Sequence, residues 1–199
     1  MSTTIEEIRD RAFGHPRGLL GRLGGMVMAY GNGATERHVV DVARLTAAET
    51  VLVVGPGPGV GLQLAGQRAR VAIGVDPSPE MRALAEARCA AEVSAGRVRL
   101  AAGSAGRTGL DPAAVDVVLS VNNVELWPDR ADGFAELLRV LRPGGRLVLS
   151  AHEKWLPVPR HALAAELTEA GFTDLQTWVW QPPGLTAPLA AQFRARRPE

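Results

Sequence analysis

The sequence predicts an α/β domain built on a doubly wound, mostly parallel sheet with a helical cap ahead of it. Three observations predict this. Short apolar runs alternate with helical patterns from residue 50 onward. The first run, Val51-Leu52-Val53-Val54, enters Gly55-Pro56-Gly57-Pro58-Gly59-Val60-Gly61 directly, reading as a strand buried on both faces, a tight turn and a helix. Near the end, 173–180 alternates and is rich in Thr, Val and Trp. A turn at Gln181-Pro182-Pro183-Gly184 then leads to a last strand over 189–195, an antiparallel hairpin added to the sheet. At 199 residues one domain with a substantial core is expected, spanning 1–199, with 1–47 as the cap and 48–199 as the core.

In the cap, Ile5 and Ile8 begin a short helix that Gly14, Pro16 and Gly18 break. Leu19, Leu20, Leu23, Met26, Val27 and Tyr30 form an amphipathic stripe ended by Gly31-Asn32-Gly33, and Val39, Val42 and Ala43 mark one face of a further helix. In the core, strand one covers 50–54 with its helix at 59–68, and strand two covers 70–75. The next helix is expected over 78–93, with Ser78 as N-cap and Pro79 at the first helical position. Strands three and four are expected at 98–101 and 115–121. A helix at 130–141 carries Phe134, Leu137, Leu138 and Leu141 inward, and Pro143-Gly144-Gly145 is expected to stop it. Strand five then runs 146–151. A last helix covers 159–170, with Leu163 and Leu167 inward and Gly171 as its stop.

The net charge of +1, with no basic cluster except Arg194 to Arg197, argues against nucleic-acid binding. One cysteine, Cys89, excludes an intrachain disulfide, and no Cys/His spacing suits a metal. No apolar run approaches the roughly 20 residues of a membrane span. Met1 to Asp10 lacks a secretory pattern, so a cytoplasmic protein is the expectation. Oligomeric state is not legible.

The glycine turn offers φ > 0 backbone and close approach to a ligand, beside the free N–H groups and positive dipole of a helix start. The strict G-x-G-x-x-G fingerprint fails at every register, since Val60 or Leu62 stands at the third glycine position. Asp76 ends strand two about 20 residues beyond the loop, where an acid can accept from both ribose hydroxyls or cap the next helix. No arginine follows at once to take a 2′-phosphate. After strand three, Ser104 and Ala105 make a small-residue turn against which an aromatic base can lie. Asn122 and Asn123 end strand four, where substrate meets ligand, or satisfy loop backbone. Glu125 is a general-base candidate if partly buried. His152, directly after strand five, is a candidate base or substrate contact. Tyr30, with Asn32, stands where the cap could close over a ligand.

The segments 51–59, Gly74-Val75-Asp76-Pro77-Ser78-Pro79-Glu80-Met81, Asp116-Val117-Val118-Leu119-Ser120 and Leu141-Arg142-Pro143-Gly144-Gly145-Arg146-Leu147-Val148-Leu149 together resemble the class I S-adenosylmethionine-dependent methyltransferases over about residues 34 to 196. The resemblance implies a Rossmann-like seven-stranded sheet in the order 3-2-1-4-5-7-6 with strand seven antiparallel. S-adenosyl-L-methionine is the implied cofactor. Gly55, Gly57 and Gly59 would line its methionine and ribose parts, and Asp76 would bind the ribose hydroxyls. Pro77 would lie beside adenine, Ser104 and Ala105 at its edge, and Asn122 near the methionine moiety. The cap would supply much of the acceptor pocket. Val53 and Ser104 stand where many members carry acids, the first of which helps hold the methionine amino group. The expected function is methyl transfer to a small-molecule acceptor, with Asn123, Glu125 and His152 as candidate catalytic residues. A weak or inactive cofactor-binding member acting through a partner is the alternative. A nicotinamide enzyme is disfavoured by the failed fingerprint and by Arg142-Pro143-Gly144-Gly145.

Overall fold

Val51, Leu52, Val53 and Val54 are β-branched or aliphatic throughout, and the strand they form has no exposed face. β1 (Thr50–Val54) is buried at every position and pairs in parallel with β2 (Val71–Asp76) on one side and β4 (Val115–Val121) on the other. The structure, a computed structural model, describes residues 32–184 and 187–199. The cap helices expected before Asn32, and Tyr30 with them, lie outside the described residues. With β3 (Val98–Ala102), β5 (Leu141–His152), β6 (Thr173–Trp180) and β7 (Ala190–Arg196), the seven-stranded sheet has the order β3-β2-β1-β4-β5-β7-β6. β7 runs antiparallel to β5 and β6, the arrangement expected from the terminal alternation.

Residues of the central strands β1, β2, β4 and β5 divide between two apolar clusters. Val51 and Val53 of β1 join Val39, Val40 and Ala43 of helix α1 (residues 32–43) with Leu62 and Ala65 of α2 (Val60–Arg68) and Ala85 of α3 (Pro79–Arg88). Leu52 and Val54 join Phe134 and Leu137 of α5 (Arg130–Val140) with Leu163 and Leu167 of α6 (Arg160–Glu169). The change of covered face falls between β1 and β4, the topological switch point at which such sheets open a crevice. Gly171 takes φ +100 after α6, and the Phe172 N–H closes back on the Leu167 carbonyl at 3.1 Å, the stop its position predicted.

Two expectations are corrected. The helix expected over 78–93 divides into α3 and α4 (Ala90–Ser94) at Cys89. There the buried Cys89 thiol meets the Gly59 carbonyl at 3.7 Å, and Glu92 turns back to take a hydrogen bond from Gln67 on α2. Pro143-Gly144-Gly145 does not stop a helix. α5 ends at Val140, and β5 begins at Leu141 with a register shift against β4 that holds these residues as a bulge. A Cβ at Gly145 would lie 2.8 Å from the Arg142 carbonyl and 3.0 Å from that of Asp116. Arg142 itself pairs with Asp116 at 2.6 Å, and Asp116 accepts from the Thr50 N–H at 2.7 Å. This motif ties the amino ends of three strands, on the edge opposite the crevice.

α1 is held over the sheet at its carboxyl end. Arg146 on β5 donates to the Ala43 carbonyl at 2.7 Å and to Glu49 at 2.6 Å. Midway along it, His38 stacks face to face on Trp180 with ring centroids 3.9 Å apart.

Candidate functional site

A cavity of about 460 Å³ opens at the carboxyl edge of β1, β2 and β4, with the loop after β3 closing one side. The glycine turn is its floor. Gly57, at φ +50, has nothing within 4 Å of where a Cβ would stand, so its backbone is bare toward the cavity. The neighbouring glycines are needed for packing. A Cβ on Gly55 would lie 2.6 Å from the Asn123 amide nitrogen, and one on Gly59 would lie 2.9 Å from the Ala85 Cα.

Asp76 faces the same cavity and is buried. Its carboxylate accepts from the Ser78 N–H at 2.9 Å and from the Gly57 N–H. Burial nevertheless pushes its carboxyl above the usual range against those two donors and Arg82. Ser78 caps α3 by accepting from the Met81 N–H, so the cap belongs to Ser78 and Asp76 only braces the turn. Across from it, Ser104 and Arg107 exchange backbone hydrogen bonds in a tight turn that brings Ser104 and Ala105 to the wall.

The paired asparagines divide. Asn123 is fully engaged: its amide donates to the Val54 carbonyl at 2.7 Å and its oxygen accepts from the Ser120 hydroxyl and the Trp127 indole N–H. It ties β1 to the end of β4 and holds Trp127 as a cavity wall, with no group left over for chemistry. Asn122 sits at φ +51, and both polar atoms of its side chain are buried beside the cavity without a hydrogen-bond partner. Unpartnered buried amide atoms cost about 1–3 kcal/mol.

Glu125 and His152 do not line this cavity among the described residues. Glu125 lies on the 3₁₀ turn Val124–Leu126, its carboxyl raised by burial. His152 ends β5 opposite Ala190, buried, its ring edge-on to Trp155 at 4.7 Å. Burial, then Lys154, lower its pKa, so it is neutral at pH 7, and its Nδ1 has no partner.

Two residues escaped the sequence reading. Trp127, left without a role there, lies on the cavity against Gly133, where a Cβ would come 2.6 Å from its ring. Glu36 reaches the cavity from α1. It is 9% exposed and accepts a short hydrogen bond from the Gly61 N–H at the start of α2. A signal existed: Glu36 stands in register with Val39, Val40 and Ala43 at i+3, i+4 and i+7, so an apolar stripe carries a carboxylate toward the sheet.

Residues 52–149 match the family model described as a methyltransferase domain. The uncharacterized methyltransferase YdaC of Bacillus subtilis is 30% identical over 163 residues, covering 77% of this chain and 87% of that one. The chain belongs to the class I S-adenosylmethionine-dependent methyltransferases. An arsenite methyltransferase of Halobacterium salinarum is 36% identical over 120 residues, 59% of this chain and 30% of its own length. Phosphoethanolamine N-methyltransferase 2 of Haemonchus contortus, solved with phosphomonomethylethanolamine and S-adenosylhomocysteine, shares the fold. Its TM-score is 0.77 at 17% identity, over 96% of this chain and 59% of that one. S-adenosylmethionine is the cofactor of this methyltransferase, and methyl transfer is its reaction. The cavity's chemistry fits such a group: two buried carboxylates, Glu36 and Asp76, suit a cation with free hydroxyls, and bare backbone at Gly57 admits close contact.

Proposed function

We propose that this methyltransferase holds S-adenosylmethionine in the cavity at the β1–β4 switch point and methylates a small-molecule acceptor there. The observation that carries the reading is the convergence on one cavity of the Asp76 carboxylate, the bare Gly57 backbone and the unpartnered Asn122 amide. In this reading Asp76 accepts from the ribose hydroxyls, and Gly55, Gly57 and Gly59 shape the floor under the ribose and methionine arm. Pro77 flanks the adenine, Ser104 and Ala105 meet its edge, and Asn122 satisfies its amide on the methionine part. When bound, the cofactor supplies an electrophilic methyl on its sulfonium. The chain's contribution is to hold the two reactants in line, which is worth several kcal/mol of barrier.

The acceptor's chemistry is constrained by the lining. Four acids, Glu36, Asp76, Asp129 and Asp132, face one arginine, Arg107, among the described residues. Such a wall repels a phosphate backbone, which favours a small neutral or cationic acceptor over nucleic acid. Neither candidate base lines the cavity, so His152 would serve only an acceptor that extends beyond the cavity lining. Its Nδ1 has no partner among the described residues, burial lowers its pKa, and by strand alternation it shares with Val148 the sheet face that α1 covers. Asn123 is a positioning residue.

Calorimetric titration with S-adenosylhomocysteine tests the site, and a panel of amine, thiol and hydroxyl acceptors with radiolabelled cofactor tests the reaction. Asp76→Ala is expected to abolish S-adenosylhomocysteine binding. Unchanged affinity in that variant, or no binding by the wild type at millimolar ligand, overturns the reading. His152→Ala is expected to lower kcat/KM for the acceptor and leave the S-adenosylhomocysteine Kd unchanged.

A further inference from the structure

We propose that Glu36, reaching the glycine turn from α1, supplies the carboxylate that receives the ammonium of the cofactor's amino-acid arm. This rests on the cofactor site proposed above and assigns a residue that the strand itself lacks.

S-adenosylmethionine carries an ammonium beside its carboxylate, and a buried ammonium needs an anion or several carbonyls around it. Four acids line the cavity. Asp129 and Asp132 are exposed, and Asp129 already caps α5 by accepting from the Asp132 N–H. Asp76 is braced by Ser78 and Gly57 at the β2 side. Glu36 is the other buried acid, and it sits at the far end of the glycine turn, over Gly61.

Val53 has the place at the end of β1 where an acid was expected. It is 5% exposed and belongs to the apolar cluster of Val39 and Val40, so α1 covers it. One turn up the same face of α1 stands Glu36. The sequence makes room for it at Gly61, where an added Cβ would lie 3.0 Å from Glu36 Oε2 and 3.5 Å from its Cβ. That contact accounts for the fourth glycine of the run. α2 has no side-chain cap from its own N-cap residue, Gly59.

A cap alone does not explain a carboxylate. A neutral amide or hydroxyl would satisfy the Gly61 N–H without the cost of desolvating a charge. Glu36 Oε1 has no hydrogen-bond partner among the described residues, which leaves one oxygen for a ligand. Burial raises its carboxyl to about 7 against the Gly61 N–H and the charges of Arg88 and Arg37.

The test compares two ligands on two proteins. S-adenosylhomocysteine has the amino-acid arm, and 5′-methylthioadenosine has the same nucleoside without it. In Glu36→Gln, which keeps the side chain's shape and an oxygen for Gly61, affinity for S-adenosylhomocysteine is expected to fall tenfold or more by calorimetry. Affinity for 5′-methylthioadenosine is expected to stay within twofold, which also reports an intact fold. Equal losses for both ligands reduce Glu36 to a brace of the loop and overturn the proposal, as does no loss for either. If Glu36→Gln does not fold, Glu36→Asp carries the same comparison with the charge withdrawn by one methylene. Wild-type protein binding neither ligand overturns the cofactor site itself, a result distinct from either.

Discussion

At the scale of single residues, the site is a set of polar groups left in want of partners. Glu36 shows this most sharply. Burial drives its carboxyl to about 7 from 4.5, against the Gly61 N–H and the positive charges of Arg88 on α3 and Arg37 on α1. The folded chain therefore holds a proton that the unfolded chain releases between those two values. Stability from this group falls as pH rises from about 4.5 through 7 and is flat above. Glu36→Gln removes the effect. Denaturant titrations are expected to show the variant gaining on the ligand-free wild type by roughly 3 kcal/mol between pH 4.5 and 8. A cationic ligand reverses the balance, since it favours the ionised form. Wild-type affinity for S-adenosylhomocysteine is thus expected to strengthen from pH 6 to 8, with a flat profile in Glu36→Gln. Gly61→Ala sets a Cβ against Glu36 and is expected to weaken the same affinity several-fold, because the carboxylate must move by a few tenths of an ångström.

At the scale of elements, what matters is how α1 and α5 are fixed to the sheet edge. α1 carries Glu36, and Arg146 anchors its carboxyl end through Ala43, Arg44 and Glu49. Burial alone would raise the Glu49 carboxyl, but Arg146 and the Thr46 N–H hold it below the usual range. Its share of stability is present at neutral pH and lost as pH falls through that lowered value. Arg146→Met leaves a partly buried carboxylate and two carbonyls without their donor, at a cost of about 2 kcal/mol or more by denaturation. It is also expected to weaken S-adenosylhomocysteine binding, as Glu36 rides on the freed helix. On α5, Gly133→Ala sets two effects against each other. Helix propensity favours alanine by about 1 kcal/mol. The new methyl would stand 2.6 Å from the Trp127 ring, and overpacking of that kind costs about 1–3 kcal/mol. The clash is expected to win, lowering both Tm and ligand affinity as Trp127 leaves the cavity wall.

At the scale of the whole molecule, the two apolar clusters share one sheet, so the described residues from α1 onward are expected to unfold as a single unit. One calorimetric transition is the expected result, and a separate early transition would divide the segment before β1 from the core. S-adenosylhomocysteine at one hundred times its Kd is expected to add about 2.7 kcal/mol to stability. The sequence by itself determined the alternation of strands and helices, the order β3-β2-β1-β4-β5-β7-β6, the cofactor class and the cavity-lining positions Asp76, Ser104 and Asn122. The alternation follows from local periodicity and turn chemistry written in contiguous residues, while the strand order and the cofactor class follow from the family resemblance that the motifs carry. The rest was decided by tertiary structure. Asn122 and Asn123 are the same residue type side by side, and the Val54 carbonyl, 69 positions away, with Ser120 and Trp127 separates a bonded brace from an open amide. Arg142-Pro143-Gly144-Gly145 identified the family from the chain, yet only pairing with Asp116 shows it to be a strand bulge at the edge opposite the cavity. His152 stands at the right edge of the sheet in the sequence, but Trp155 and β7 enclose it outside the cavity lining. Glu36 lies 25 positions from the amide it meets, and packing of α1 over Val53 is what turns a charge on an apolar stripe into part of the site. Burial and register join residues far apart in the chain, and no local pattern of residues encodes which of them will meet.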